Sequence, residues 1–421
     1  MNQDERHDAE VILVGNELLG GERGDRHLAF LGRALRPAGV RIVRAHTVGD
    51  HVGAIADLVR ERMRAARLLI VTGGLGPTDD DITRDGVAQA LGASLEFDEP
   101  TWSRIVEFFA ARGRTPSDAN RRQAMFPRGA EIVGNALGTA PGFHVQQDGA
   151  HIFVLPGPPG ELQAMFNDLV LPRVTAAFQR PALRMEHFRT IGVGESQLVE
   201  MLGNTVSDLD GFTVSWLPNI FGVDIVLTQK ADANVVVMDQ EATRLHERLM
   251  EQLGSRYYTH SETPLARVVG DQLVARAQTV AAAESLTGGT VARLFTEHSG
   301  SSAYFLASTV AYANEAKVDL LGVRADTIEQ FGAVSEEVCT EMAHGIRRRA
   351  KASWGLATTG IAGPTGATPH KPIGLTFIAV AWEGGVQVKR LIYTGDRHTI
   401  RERAAHGVIW LLHDRLTRES A

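Results

Sequence analysis

The sequence predicts an α/β protein: two doubly wound α/β domains joined by a small α+β unit. Three observations carry that expectation. At 421 residues the chain exceeds what one hydrophobic core ordinarily serves. Strand-like and helix-like runs alternate through residues 1–174 and again through 257–421, the pattern of sheets covered by helices, while 175–256 differs in character. The glycine-, aspartate- and serine-bearing turns fall at strand ends, where open α/β sheets bind ligands.

Residues 10–14 form an apolar run broken by Gly15 and Asn16, a first strand, and a helical pattern follows near 28–35. Residues 40–45 read as a second strand, 52–63 as a helix, and 68–72 as a third strand opening into GGLGPTDDDITRD. An amphipathic helix at 101–112 carries Trp102, Ile105, Val106 and Phe109 as core rather than as a cofactor box. A strand at 151–155 and the turn PGPPGEL lead to a helix ending near 174. Between 176 and 264 a helix at 195–202 mixes with alternating runs at 212–217 and 222–228, and the segment IGVGES reads as a connector. The last third opens on a strand at 280–283 and a helix from about 290. A strand at 308–312, helices at 314–321 and from 335, and a strand at 354–359 follow. The loop GIAGPTGATPHKP, strands at 374–382 and 387–394, and a long helix from about Arg397 complete it.

Composition excludes several classes. The 43 basic and 50 acidic residues leave a net charge of −7, and the one basic run, 347–351, closes a predicted helix where cations suit the dipole. Neither nucleic acid nor a membrane is an expected partner. The single Cys339 excludes an intrachain disulfide and a cysteine-built zinc cluster. The opening MNQDERHDAE is charged and no apolar run spans a bilayer, so a cytoplasmic location is expected.

Two loops carry the chemistry. In TVAAAESLTGGTVARL a buried strand ends in Glu284 and Ser285, and Thr287, Gly288 and Gly289 precede a helix start, where unpaired amides suit an oxyanion beside a serine hydroxyl. Ser285 reads either as a nucleophile or as a helix cap. YANEAK places Tyr312 at the next strand end and Lys317 on the following helix, and a desolvated lysine there is a candidate general base. Arg397 and Arg401 offer a cationic clamp, and GIAGPTG offers backbone donors. In GGLGPTDDD, Gly73, Gly74 and Gly76 can turn amides toward phosphate, and Asp79, Asp80 and Asp81 suggest a divalent cation or helix-capping carboxylates.

AESLTGG, YANEAK, FGAVSEE and TGIAGPTGATPHKPIG, in that order, resemble the nicotinamide-nucleotide amidohydrolase domain of the competence/damage-inducible CinA family. GNELL, TGGLGPTDDDIT, NRRQA, GTAPGF and LPGPP resemble that family's other module, similar in fold to molybdopterin-binding domains. The resemblance implies deamidation of nicotinamide mononucleotide to nicotinate mononucleotide and ammonia, without a cofactor. Ser285 would attack the carboxamide, Lys317 and Tyr312 would handle its proton, and amides at Thr287, Gly288 and Gly289 would hold the oxyanion. Asn314, Gly360, Ala362, Gly363, Arg397 and Arg401 would line the substrate. The N-terminal module would be a metal-dependent ADP-ribose pyrophosphatase, with Asp80 and Asp81 at the cation and Gly73, Gly74, Gly76 and Thr78 at phosphate. The middle unit resembles the family's KH-like connector, read here without RNA binding, and a homodimer is expected. Asp25, Arg26 and His27 stand where the family commonly has Asp-Thr-Asn, and the alternative reading is an inactive N-terminal domain in a protein that is partly an adaptor in DNA uptake or damage response.

Overall fold

A computed structural model of the chain describes residues 7–203, 206, 209–230 and 234–420. Most of the charged opening segment, residues 1–6, lies outside them. The chain divides into two compact units, Met1–Arg184 and Met185–Ala421.

In the first unit the apolar runs form the strands His7–Val14, Ala66–Thr72 and Ala150–Leu155, hydrogen-bonded in parallel at the centre of a six-stranded sheet. Ile42–Val48 adds a parallel edge strand, and Gly142–Gln147 and Glu131–Val133 extend the other side antiparallel. The period of two divides the strand residues between two cores. Val11, Leu68, Ile70 and Phe153 pack on one face; Ile12, Leu69, Val71 and Ile152 pack on the other, against Val52–Ala65. That is why these strands read as continuous apolar runs. The strand expected at 40–45 starts later because Arg36–Ala38 forms a short 3-10 turn ending in Gly39 at φ 66°.

The second unit holds two sheets. Phe212–Pro218, Val223–Gln229, Met185–Thr190 and Tyr257–Thr259 form an antiparallel four-stranded sheet, with Glu195–Leu202 and Val235–Leu253 contributing to its core. The other sheet runs in the order Phe305–Val310, Val280–Glu284, Trp354–Gly360, Leu375–Trp382 and Gly385–Ile392, the first three parallel and the last two antiparallel. Glu336–Ala350 covers one face, and the C-terminal helix Arg397–Ser420 packs its buried Ala405, Val408, Ile409 and Leu412 on the other. The strand expected at 308–312 ends at Val310, since its only neighbour's last pair is Glu284 with Val310; Tyr312 therefore lies in the loop beyond. Among the described residues no helix is long and apolar enough to cross a membrane.

Candidate functional site

In the second unit, parallel pairing brings three strand ends together. Glu284 pairs with Val310 on one side and Thr358 on the other, so Ser285 emerges between Ala311 and Thr358. Its amide donates to Thr358 O at 3.1 Å, and its side chain is 9 % exposed. The turn behind it is fixed from two directions. The Glu284 carboxylate is fully buried and accepts from the amides of Gly289, Val291 and Ala292 at 2.8, 3.1 and 3.0 Å, and from Ser308 Oγ at 2.9 Å. An anion at a helix N-terminus meets both unpaired donors and the positive end of the dipole. From the other side Arg401 donates to Leu286 O at 3.1 Å and Thr287 O at 2.9 Å.

These contacts redistribute the oxyanion donors expected from sequence. The Gly289 amide is occupied by Glu284, and that of Gly288 donates to Ser285 O at 3.2 Å. Among the described residues no acceptor holds the amides of Leu286 and Thr287. A planar peptide directs its N–H opposite its carbonyl, so Arg401, by holding Leu286 O, turns the Thr287 N–H away from itself. Thr287 Oγ1 meets Thr358 Oγ1 at 2.8 Å, which ties the turn to the neighbouring strand.

Lys317 lies on the helix Asn314–Leu321 and is 1 % exposed. Its Nζ donates to Ala311 O at 2.9 Å and Tyr312 O at 3.1 Å, the strand end beside Ser285. Burial pushes its ammonium down from the usual lysine value, against a smaller upward pull from Glu315. A neutral amine has two N–H bonds, which these carbonyls accept, and one lone pair to take a proton. Tyr312 reaches Lys317 through its carbonyl; its side chain is 61 % exposed and its hydroxyl accepts from Arg397 Nη2 at 3.0 Å. Arg397 Nη1 also donates to Gly363 O at 2.7 Å, joining Tyr312 to the glycine loop. Ala362 is buried with Leu286, Ile400 and Ala404, while Asn314 is exposed at the helix start. A Cβ on Gly360 would meet Leu375 O at 2.6 Å.

The first unit encloses a cavity of about 830 Å³ at the ends of His7–Val14 and Ala66–Thr72, lined by Gly73, Gly74, Gly76, Thr78, Asp80 and Asp81 among others. The Gly73 amide is occupied by Leu155 O at 3.2 Å, and a Cβ there would meet Val14 O at 2.2 Å. Gly73, at φ 104°, thus serves the packing of strand ends rather than an approach to ligand. Asp81 Oδ2 accepts from Thr78 N at 2.8 Å and from Thr78 Oγ1 at 2.5 Å, so Thr78 orients Asp81. Asp80 is exposed, and the neighbouring Thr78 side chain holds its carboxyl below the usual range. Among the described residues no group of three or more His, Cys, Asp or Glu is placed to hold a metal ion. Two carboxylates, Asp80 and Asp81, line the cavity, so a hard cation held by them would need most of its oxygen ligands from outside the protein side chains. Asp25 accepts from the amides of His27 at 2.8 Å and Leu28 at 3.2 Å, while His27 Nδ1 lies 3.0 Å from Thr72 Oγ1 and borders the same cavity.

Sequence reasoning missed Glu284 and assigned Arg401 to substrate. The available signal for Glu284 was an acidic residue closing a buried strand within reach of the next helix start.

Residues 10–176 match the family described as a probable molybdopterin binding domain, 186–259 the damage-inducible protein CinA KH domain, and 262–416 the CinA C-terminal domain. A CinA-like protein of Kosmotoga olearia is 37 % identical over 94 % of this chain and 96 % of its own. A CinA-like protein of Chlorobaculum tepidum is 38 % identical over 95 % and 97 %. A crystal structure of the competence damage-inducible protein A from Klebsiella pneumoniae is 33 % identical with a TM-score of 0.36, covering 36 % of this chain and 94 % of that one.

Proposed function

The chain belongs to the CinA family, and from that premise we propose that its C-terminal domain deamidates nicotinamide mononucleotide through Ser285. The observation that carries the reading is the burial of Lys317 against the strand end next to that serine.

Neutral Lys317 accepts the Ser285 Oγ proton as Oγ bonds to the carboxamide carbon. The oxygen of the tetrahedral intermediate meets the amides of Leu286 and Thr287; Arg401 holds the peptide of the Thr287 amide through Leu286 O, and the Gly288 amide holds that of Leu286 through Ser285 O. Collapse breaks the C–N bond; the nitrogen takes the proton from Lys317 and leaves as ammonia. Water then adds to the serine ester with Lys317 again accepting a proton, and Ser285 Oγ leaves with that proton, which gives nicotinate mononucleotide and restores neutral Lys317. Arg397, exposed beside the glycine loop, is the group for the substrate phosphate. Deamidation by this route calls on no cofactor.

Ammonia release from nicotinamide mononucleotide by wild type and Ser285→Ala tests this. The variant should release none above background. Full activity in it removes the mechanism.

A second activity is favoured by the cavity of about 830 Å³ in the first unit. We assign it to ADP-ribose pyrophosphate hydrolysis. A divalent cation held by Asp80 and Asp81 would neutralise pyrophosphate charge as a Lewis acid. Thr78 holds Asp81 in place, and the Gly74 and Gly76 peptides, which line the cavity, would border the phosphates. Asp80→Ala combined with Asp81→Ala should abolish metal-dependent hydrolysis while ammonia release continues; unchanged hydrolysis would show that those carboxylates are not the ligands.

A further inference from the structure

The second unit contains a cavity that neither activity uses. Its volume is about 520 Å³, and it lies between the four-stranded sheet and the C-terminal helix. That is the size of a small-molecule site. The middle unit contributes the IGVGES loop and Phe221; the larger sheet and its helix contribute Leu391, Tyr393 and Trp410. Three aromatic side chains, Phe221, Tyr393 and Trp410, thus stand among walls that are otherwise mostly glycine and aliphatic. His406 adds to them as a neutral ring: burial pushes it down to about 4, and it stacks on Phe221 with ring centroids 3.4 Å apart.

Two cations stand on one side. Lys389 Nζ lies 4.1 Å from the Trp410 ring centre, and Arg256 lines the same wall. Among the described residues neither has a carboxylate within ion-pair reach. Asp414, which attracts Lys389, is already engaged by Arg418 at 3.1 Å and Ser255 at 2.6 Å. Arg256, Lys389 and Trp410 also border an adjoining cavity of about 420 Å³, so an anionic group reaching them has space beyond. Arg403 is committed to Ile220 O and Thr394 O, both at 2.8 Å, and shapes the wall. The one carboxylate in the lining, Glu195, is exposed on the first turn of its helix.

We propose that this cavity binds a planar aromatic anion of the nucleoside monophosphate class, its ring among Phe221, Tyr393 and Trp410 and its phosphate at Arg256 and Lys389. The ligand bridges the middle unit and the C-terminal helix, the same helix whose first turns carry Arg397 and Arg401.

Titration calorimetry on the full chain, in chelator-treated buffer, tests it with three probes: adenosine monophosphate, adenosine and inorganic phosphate. Adenosine monophosphate should bind at least tenfold tighter than either fragment, and Arg256→Met combined with Lys389→Met should weaken it at least tenfold. Arg256 is exposed, so Arg256→Met alone serves if the double variant fails to melt cooperatively. Isotherms for adenosine monophosphate that superimpose for wild type and variant, or no binding of it, overturn the site. Phosphate binding as tightly as the nucleotide overturns its aromatic half.

Discussion

Replacing Lys317 by methionine separates chemistry from architecture at the proposed deamidase centre. The substitution removes two hydrogen bonds, of 2.9 and 3.1 Å, each worth about 1 kcal/mol net. It also removes the cost of burying an ammonium, which acts in the opposite direction. A side chain of similar length fills the space, so stability should change by no more than about 2 kcal/mol, or roughly 4–8 °C for a domain of this size. Catalysis should fall far more, by ~10²–10⁴-fold in kcat, because the serine loses its base. The pH profile adds a second readout. Burial lowers the lysine from its ordinary 10.5, and the neutral form is the active one, so wild-type kcat/KM should rise with pH along a limb centred below 10.5. In the variant that limb should vanish. Ammonia release followed from pH 6 to 10, with thermal melts of both proteins, measures each quantity. A variant retaining a third or more of wild-type kcat, with the limb intact, would refute the assignment of Lys317 as base.

Glu284→Gln replaces an acceptor oxygen by a donor facing backbone amides; it should cost ~2–3 kcal/mol, read as a melting temperature lower by roughly 5–10 °C, and an unchanged melt would contradict the capping role. Gly73→Ala would force a Cβ to within 2.2 Å of Val14 O at φ 104°, so loss of ~3 kcal/mol or more is expected in urea unfolding. His406 and His413 are both held down to about 4 by burial, so the unfolded chain binds protons below 6.5 while the folded chain does not until near 4. Stability should therefore fall as pH drops through that window, by about 2 kcal/mol per histidine at pH 5. His406→Gln combined with His413→Gln should flatten the decline, and an equally steep one would point to other groups.

The alternation of elements was legible because strands buried on both faces are written as unbroken apolar runs, as in ARLLIVT and AHIFVL. Two of the strand ends that matter were legible as well: Ser285 directly follows Val280–Glu284, and the glycine turn directly follows Ala66–Thr72. Lys317 was harder, since isolated lysines on helices are ordinarily solvated. Its burial follows from the register of Phe305–Val310 against Val280–Glu284, which puts two carbonyls within reach of Nζ. Gly73 shows a related difficulty: the sequence marks a special backbone conformation without saying whether a ligand or a carbonyl occupies the space a side chain would fill. Arg401 ends on backbone carbonyls and Glu284 mainly on backbone amides, and backbone atoms are the partners that residue patterns conceal. Val310 and Tyr312 differ by two residues, yet that offset moves the tyrosine from a strand end into an exposed loop.

The guanidinium of Arg401 grips carbonyls 115 and 114 positions earlier in the chain. Closing so long a loop is entropically unfavourable until the intervening sheet and helices exist. The Arg401 contacts should therefore form late when the domain refolds. A burst of far-ultraviolet circular dichroism should precede recovery of ammonia release, leaving a compact but silent population in between. The serine turn thus takes its shape from a side chain far away in the sequence.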